Sequence, residues 1–140
     1  MIRRTGFAAT VLLAGVAFLP TAAASVTPMD GEYLNAGTAQ VRVLPGSKSA
    51  AVTITGTLGI TGVAVSLPSL VKITNGSFSY SGRTIWRYAI PPVRALPGTG
   101  TIKGTFTTAK SLTLSYNLRR NGASLKKSNV TLAFSAPSHR

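Results

Sequence analysis

From residue 38 to residue 135 apolar side chains recur at every second position, and that period suits only an extended backbone. Ala39, Val41 and Val43 alternate with Thr38, Gln40 and Arg42, and Ala50, Val52 and Ile54 alternate with Ala51, Thr53 and Thr55. Successive side chains of a strand point to opposite faces, so each run is a strand with one buried face. The alternation returns at Val63, Val65 and Leu67, at Val71 and Ile73, at Phe78 and Tyr80, and at Trp86 and Tyr88. It continues at Ile102 and Phe106, through Leu112, Leu114, Tyr116 and Leu118, and ends at Val130, Leu132 and Phe134. Pro45-Gly46, Asn75-Gly76, Ser81-Gly82, Pro97-Gly98 and Asn121-Gly122 punctuate the runs as turn formers. The pattern predicts an all-β domain, an antiparallel β-sandwich of about seven or eight short strands, with a small closed, lipocalin-like β-barrel as the alternative.

Side-chain parity fixes several turns. A two-residue type I′ loop at Asn75-Gly76 sets Ile73 opposite Phe78 and Val71 opposite Tyr80, with all four on one face. The same loop at Asn121-Gly122 would set Leu112 opposite Thr131 and carry Val130 and Leu132 to the wrong side. A three-residue loop over 120–122, with Gly122 left-handed as a bulge, sets Leu112 opposite Val130 and restores the face. A three-residue loop over 108–110 sets Phe106 opposite Leu112 and Ile102 opposite Tyr116. Strands at 101–107, 111–118 and 124–135 then form a meander. Residues 90–100, with Pro91, Pro92 and Pro97, are read as a surface crossover between two sheets or a loop across a barrel mouth, and not as a central strand. On this reading Gly122→Ala costs about 1 kcal/mol, and Gly98→Ala, in a loose loop, less.

The N-terminus carries an address. Arg3 and Arg4 precede an apolar run at 7–19, Pro20 breaks it, and Ala22-Ala23-Ala24 supplies the small residues of a cleavage site. Residues 1–24 are read as a bacterial secretion signal cleaved after Ala24, which makes the mature protein secreted or periplasmic and not membrane-spanning. Residues 25–37 form an N-terminal leader, 38–135 the single all-β domain and 136–140 a disordered tail. There is no cysteine, so burial and backbone pairing carry the fold without disulfides.

Fifteen Lys and Arg face two carboxylates, Asp30 and Glu32, and the one histidine, His139, is the next-to-last residue. Proton transfer, nucleophile activation and metal ligation draw mainly on Asp, Glu, His and Cys. The sequence therefore implies no enzyme, no metal site and no cofactor. Removing the signal leaves 13 basic and 2 acidic side chains on 116 residues, a net charge of +11. Such a balance favours anionic polymers as partners: envelope polysaccharide, lipopolysaccharide or extracellular nucleic acid, with no specific nucleic-acid motif.

Arg119, Arg120, Lys126 and Lys127 fall at one hairpin end and are the candidate polyanion site, against the plainer reading that their charges guard a strand edge. Trp86, Arg87 and Tyr88 offer an aromatic platform, against core burial of both rings. Three functions are compatible with the chain: a binder of anionic polymers, a lipocalin-like carrier of a small apolar ligand, and a structural or surface-coat domain whose charge is a habitat adaptation. An interior void would favour carriage, and a filled interior would oppose it.

Overall fold

The computed structural model describes residues 26–137; residues 1–24, read from the sequence as a secretion signal, Ser25 and residues 138–140, with His139, lie outside them. Nine strands follow one another: β1 Gly31–Asn35, β2 Ala39–Val43, β3 Ser49–Leu58, β4 Thr61–Ser66, β5 Val71–Lys72, β6 Ser77–Tyr88, β7 Leu96–Thr108, β8 Ser111–Arg120 and β9 Ala123–Pro137. All pairings are antiparallel, and there is no helix among the described residues. As the alternation predicts, the chain is all-β. The strands form one sheet in the order β2-β1-β9-β8-β7-β6-β4-β3-β5, and the β2–β3 pairing closes it in a ring.

β4 and β5 pair with the same edge of β3 at different heights, β4 opposite residues 53–58 and β5 opposite Ser49 and Ala50. The segment between them carries exposed Leu70. β5 then enters β6 through Asn75-Gly76, where φ is 52° and 73° and Thr74 and Ser77 exchange both backbone hydrogen bonds. That is the two-residue turn the sequence predicts, with Asn and Gly supplying the two left-handed positions. In the β7–β8 ladder Phe106 lies opposite Leu112 and Ile102 opposite Tyr116 as predicted, but the loop is the two residues Ala109 and Lys110 and not 108–110: Thr108 faces Ser111, and the odd residue is a bulge between Phe106 and Thr108.

The inward phase of every strand meets in one core. Tyr33, Val41, Ile54, Val65, Trp86, Ile102, Leu112, Leu114, Leu118 and Leu132 are each no more than 1% exposed, and burying one such side chain contributes roughly 1.5–3 kcal/mol. Tyr33 holds the lower end. Its ring meets Phe106 and Phe134 edge-on, with centroids 5.2 and 5.4 Å away. Its hydroxyl reaches the carbonyls of Met29 and Ala109 at 2.8 and 2.7 Å.

Three further local expectations are corrected. The β8–β9 turn has two residues: Arg120 lies opposite Ala123 and Leu118 opposite Leu125. Asn121, with φ 53°, is left-handed there, and Gly122 is not. The odd residue that parity demands sits further on, as a bulge between Lys127 and Val130. Asn129 there has φ 57° and donates its N–H to Ser115 Oγ at 3.0 Å. Past the bulge Leu112 lies opposite Leu132, not Val130, and the apolar phase is inward again.

The second correction is that β7 takes in Leu96, Pro97 and Gly98, between β6 and β8. Pro97 pairs with Ile85 on one side, while the ladder to β8 begins only at Thr99 opposite Arg119. A proline needs no N–H partner at such a strand start. The third follows from it. A Cβ on Gly98 would lie 2.4 Å from Trp86 Nε1, whereas one on Gly122 would meet nothing within 4 Å. The predicted ranking of those two glycines is therefore reversed.

Candidate functional site

The ladder decides which charges can act together. β8 turns its even-numbered residues inward, from Leu112 to Leu118. Arg120 therefore points inward, opposite Ala123, and Lys127 shares that phase opposite Tyr116. Arg119, opposite Ser124, and Lys126, opposite Asn117, face outward. The four hairpin cations are thus split two and two. Arg120 is half-buried, with its guanidinium carbon 5.9 Å from the centroid of Tyr88.

The aromatic residues are placed as separately. Trp86 is wholly buried and donates its indole N–H to Thr84 Oγ1 at 3.0 Å. Tyr88 is half-buried, 6.4 Å from Trp86, and the Arg120 guanidinium lies over its ring. Arg87 is on the outer phase, exposed, with Nη1 3.5 Å from Ser66 Oγ.

The outward phase of β6 to β9 makes a continuous polar face. Its rows read Arg83, Thr99, Arg119, Ser124; then Ser81, Thr101, Asn117, Lys126; then Ser79, Lys103, Ser115; then Ser77, Thr105, Thr113, Thr131. Arg83, Lys103, Arg119 and Lys126 are all exposed. Neighbouring strands lie about 4.8 Å apart and alternate residues of one strand about 6.8 Å apart. Long side chains on Arg83 and Arg119, two strands apart, can therefore address adjacent groups of one bound polymer. Hydroxyls and one amide fill the places between the cations, and no carboxylate stands in any row.

Neither acid is near it. Glu32 on β1 pairs with Arg42 at 3.5 Å. Asp30 accepts from Ser47 Oγ at 2.6 Å and from the Gly46 N–H at 3.1 Å. Among the described residues no three His, Cys, Asp or Glu come together, and no helix is long and apolar enough to cross a membrane. Arg83 and Lys103 are the face residues that the sequence reading did not single out. They were visible as the polar phase of strands whose apolar phase is Phe78 and Tyr80 or Ile102 and Phe106.

The inward side chains pack into one core, and a cleft of about 830 Å³ opens at its side. It exists because the β1–β2 hairpin is short. β2 pairs with β3 only up to Ile54, and β1 with β9 only from Ala133 onward. Above that level β3 and β9 face each other without a strand between them. Val63, Tyr88, Val93, Tyr116, Leu125 and Lys127 line the opening.

Comparison of the chain with protein-family models, with curated proteins and with solved structures finds no match.

Proposed function

We propose that the protein is an exported, non-enzymatic binder of anionic polymers, held on the outer face of β6 to β9 without base or sugar specificity. The observation that supports this reading is the set of rows carrying Arg83, Lys103, Arg119 and Lys126 among hydroxyls, with both carboxylates of the chain engaged elsewhere. Cations on an outer face with no internal partner keep their attraction for an external one, and a bound polyanion releases its condensed counterions. Ser and Thr hydroxyls donate to phosphate, sulfate or carboxylate oxygens alike, which gives adhesion without sequence readout.

The test is the affinity for a fluorescent single-stranded oligonucleotide across a salt series. Four phosphate contacts give a log–log slope of about −3. Changing Arg83, Lys103, Arg119 or Lys126 singly to Ser is expected to flatten the slope by roughly 0.7 each. Lys48→Ser, in the β2–β3 turn, is expected to leave it unchanged. Equal flattening by all five variants would show diffuse charge and remove the face from the reading.

A further inference from the structure

The side cleft between β3 and β9 is chemically distinct from the polar face. Its lining combines apolar Val63, Val93 and Leu125 and the rings of Tyr88 and Tyr116 with the cations Lys126 and Lys127, Lys126 being shared with the edge of the polar face, and Arg87 also borders it. No carboxylate lines it. Beside the opening, Ile90 and Val93 are 58% and 59% exposed. Its volume of about 830 Å³ is within the range of small-molecule sites, roughly 300–1,000 Å³. We propose that this cleft binds a single-chain amphiphile with an anionic head, the chain lying along Val63, Tyr88 and Leu125 and the head at Lys127.

Charge complementarity selects the head. A cation at an opening without any acid attracts an anion, repels a cationic head and gives a neutral one no electrostatic gain. The same geometry argues against a strand from another chain filling the gap. The free edge of β3 is short, ending at Leu58, and the opposing edge of β9 is bulged at Asn129 and carries Lys126 and Lys127. Bulges and lysines are the devices that keep edges from pairing. Leu125 also already crosses the gap, since a Cβ on Gly56 would lie 3.0 Å from its Cδ2. An inserted strand would have to displace it, whereas a flexible chain packs against it.

The experiment is calorimetric titration of the mature protein with dodecanoate below its micellar concentration, beside dodecyltrimethylammonium as the chain-matched cation. Saturable one-to-one binding of dodecanoate is expected, at least tenfold tighter than that of the cation. Lys127→Glu, at an exposed position, is expected to weaken dodecanoate at least tenfold and to narrow or reverse the preference. Val93→Ser, which removes apolar lining without adding charge, is expected to weaken both ligands. Changing Arg83, Lys103 and Arg119 together to Ser, none of which lines the cleft, is expected to weaken the oligonucleotide and leave dodecanoate affinity unchanged, which separates this site from the polymer-binding face; Lys126 borders both. Absence of saturable binding, equal binding of the two amphiphiles, or an unchanged dodecanoate affinity in Lys127→Glu would each overturn the proposal. So would a dimer in sedimentation that dodecanoate fails to dissociate, because the cleft would then hold a second copy.

Discussion

Glycine means different things along this chain, and only neighbours reveal which. On β7 the phase of Ile102 and Phe106 is inward, and Gly98, Gly100 and Gly104 share it. The Phe78 ring lies over Gly104 so closely that an added Cβ would be 2.3 Å from Cζ. Gly104→Ala is therefore expected to destabilise by about 2 kcal/mol or more, Gly98→Ala comparably, and Gly122→Ala by less than about 0.5 kcal/mol, as read from denaturation midpoints. The sequence alone could not order them, because Pro97-Gly98 and Asn121-Gly122 carry the same turn signal. Tyr33 gives a second test at this scale. Burial holds its hydroxyl above the ordinary value of 10.0, with the Asp30 charge acting in the same direction. The folded state therefore keeps a proton that the unfolded chain releases near pH 10. The stability contributed is complete below that pH and lost as pH rises through the folded value. Wild-type stability is expected to fall more steeply above pH 10 than that of Tyr33→Phe. Lysine titration is common to both proteins and cancels in the difference. Parallel curves would mean that the hydroxyl is not held neutral.

At the scale of the strand, parity was a sound guide to number and a poor one to place. Counting from Asn121-Gly122 required one extra residue before Val130, and the chain has one, but at Asn129 and not at the turn. Two asparagines stood available, both able to adopt the left-handed conformation at little cost, and alternation cannot choose between them. The choice has a physical consequence. With the extra residue at Asn129, the rungs on either side of it differ by one in register, Tyr116 opposite Lys127 and Leu114 opposite Val130. Deleting Asn129 would bring the two ladders into one continuous register with every inward residue still inward. The deletion variant is thus expected to fold with a melting temperature near that of the parent. It is also expected to self-associate more, because a regular edge pairs more readily than a bulged one. Deleting Gly122 instead leaves a one-residue loop that can close only if the next five residues change phase, turning Leu125 outward, and is expected to lower stability. Circular dichroism melts and sedimentation of the two deletions decide it, and an unfolded Asn129 deletion would refute the register argument.

Over the whole molecule, the all-β class was legible because period-two alternation reports one buried face per strand. Closure was not, since the same alternation serves a ring and a pair of sheets. Closure depends on β1, whose residues 31–34 pair with 133–137 at the far end of the chain, and a five-residue strand with one buried aromatic gives little periodic signal. The candidate face was half legible for the same reason: charge counted along the chain found Arg119 and Lys126, but only the ladder separates them from Arg120 and Lys127 and adds Arg83 and Lys103. The charge itself has a global effect. Among the described residues twelve Lys and Arg face two carboxylates, with one ion pair, Glu32 with Arg42. Self-repulsion of this kind opposes the compact state and is screened by salt, since the Debye length falls from about 30 Å at 0.01 M to about 8 Å at 0.15 M. Raising sodium chloride over that range is therefore expected to raise the melting temperature by a few degrees, where many proteins respond little. A polyanion added at low salt should raise it further, because a ligand that binds only the folded face stabilises by mass action. That increment should vanish at high salt while the sodium chloride effect persists. Thermal melts on a two-way grid of salt and polyanion separate the two contributions. A polyanion increment that survives high salt would mean that binding does not rest on charge, and would count against the face of Arg83, Lys103, Arg119 and Lys126.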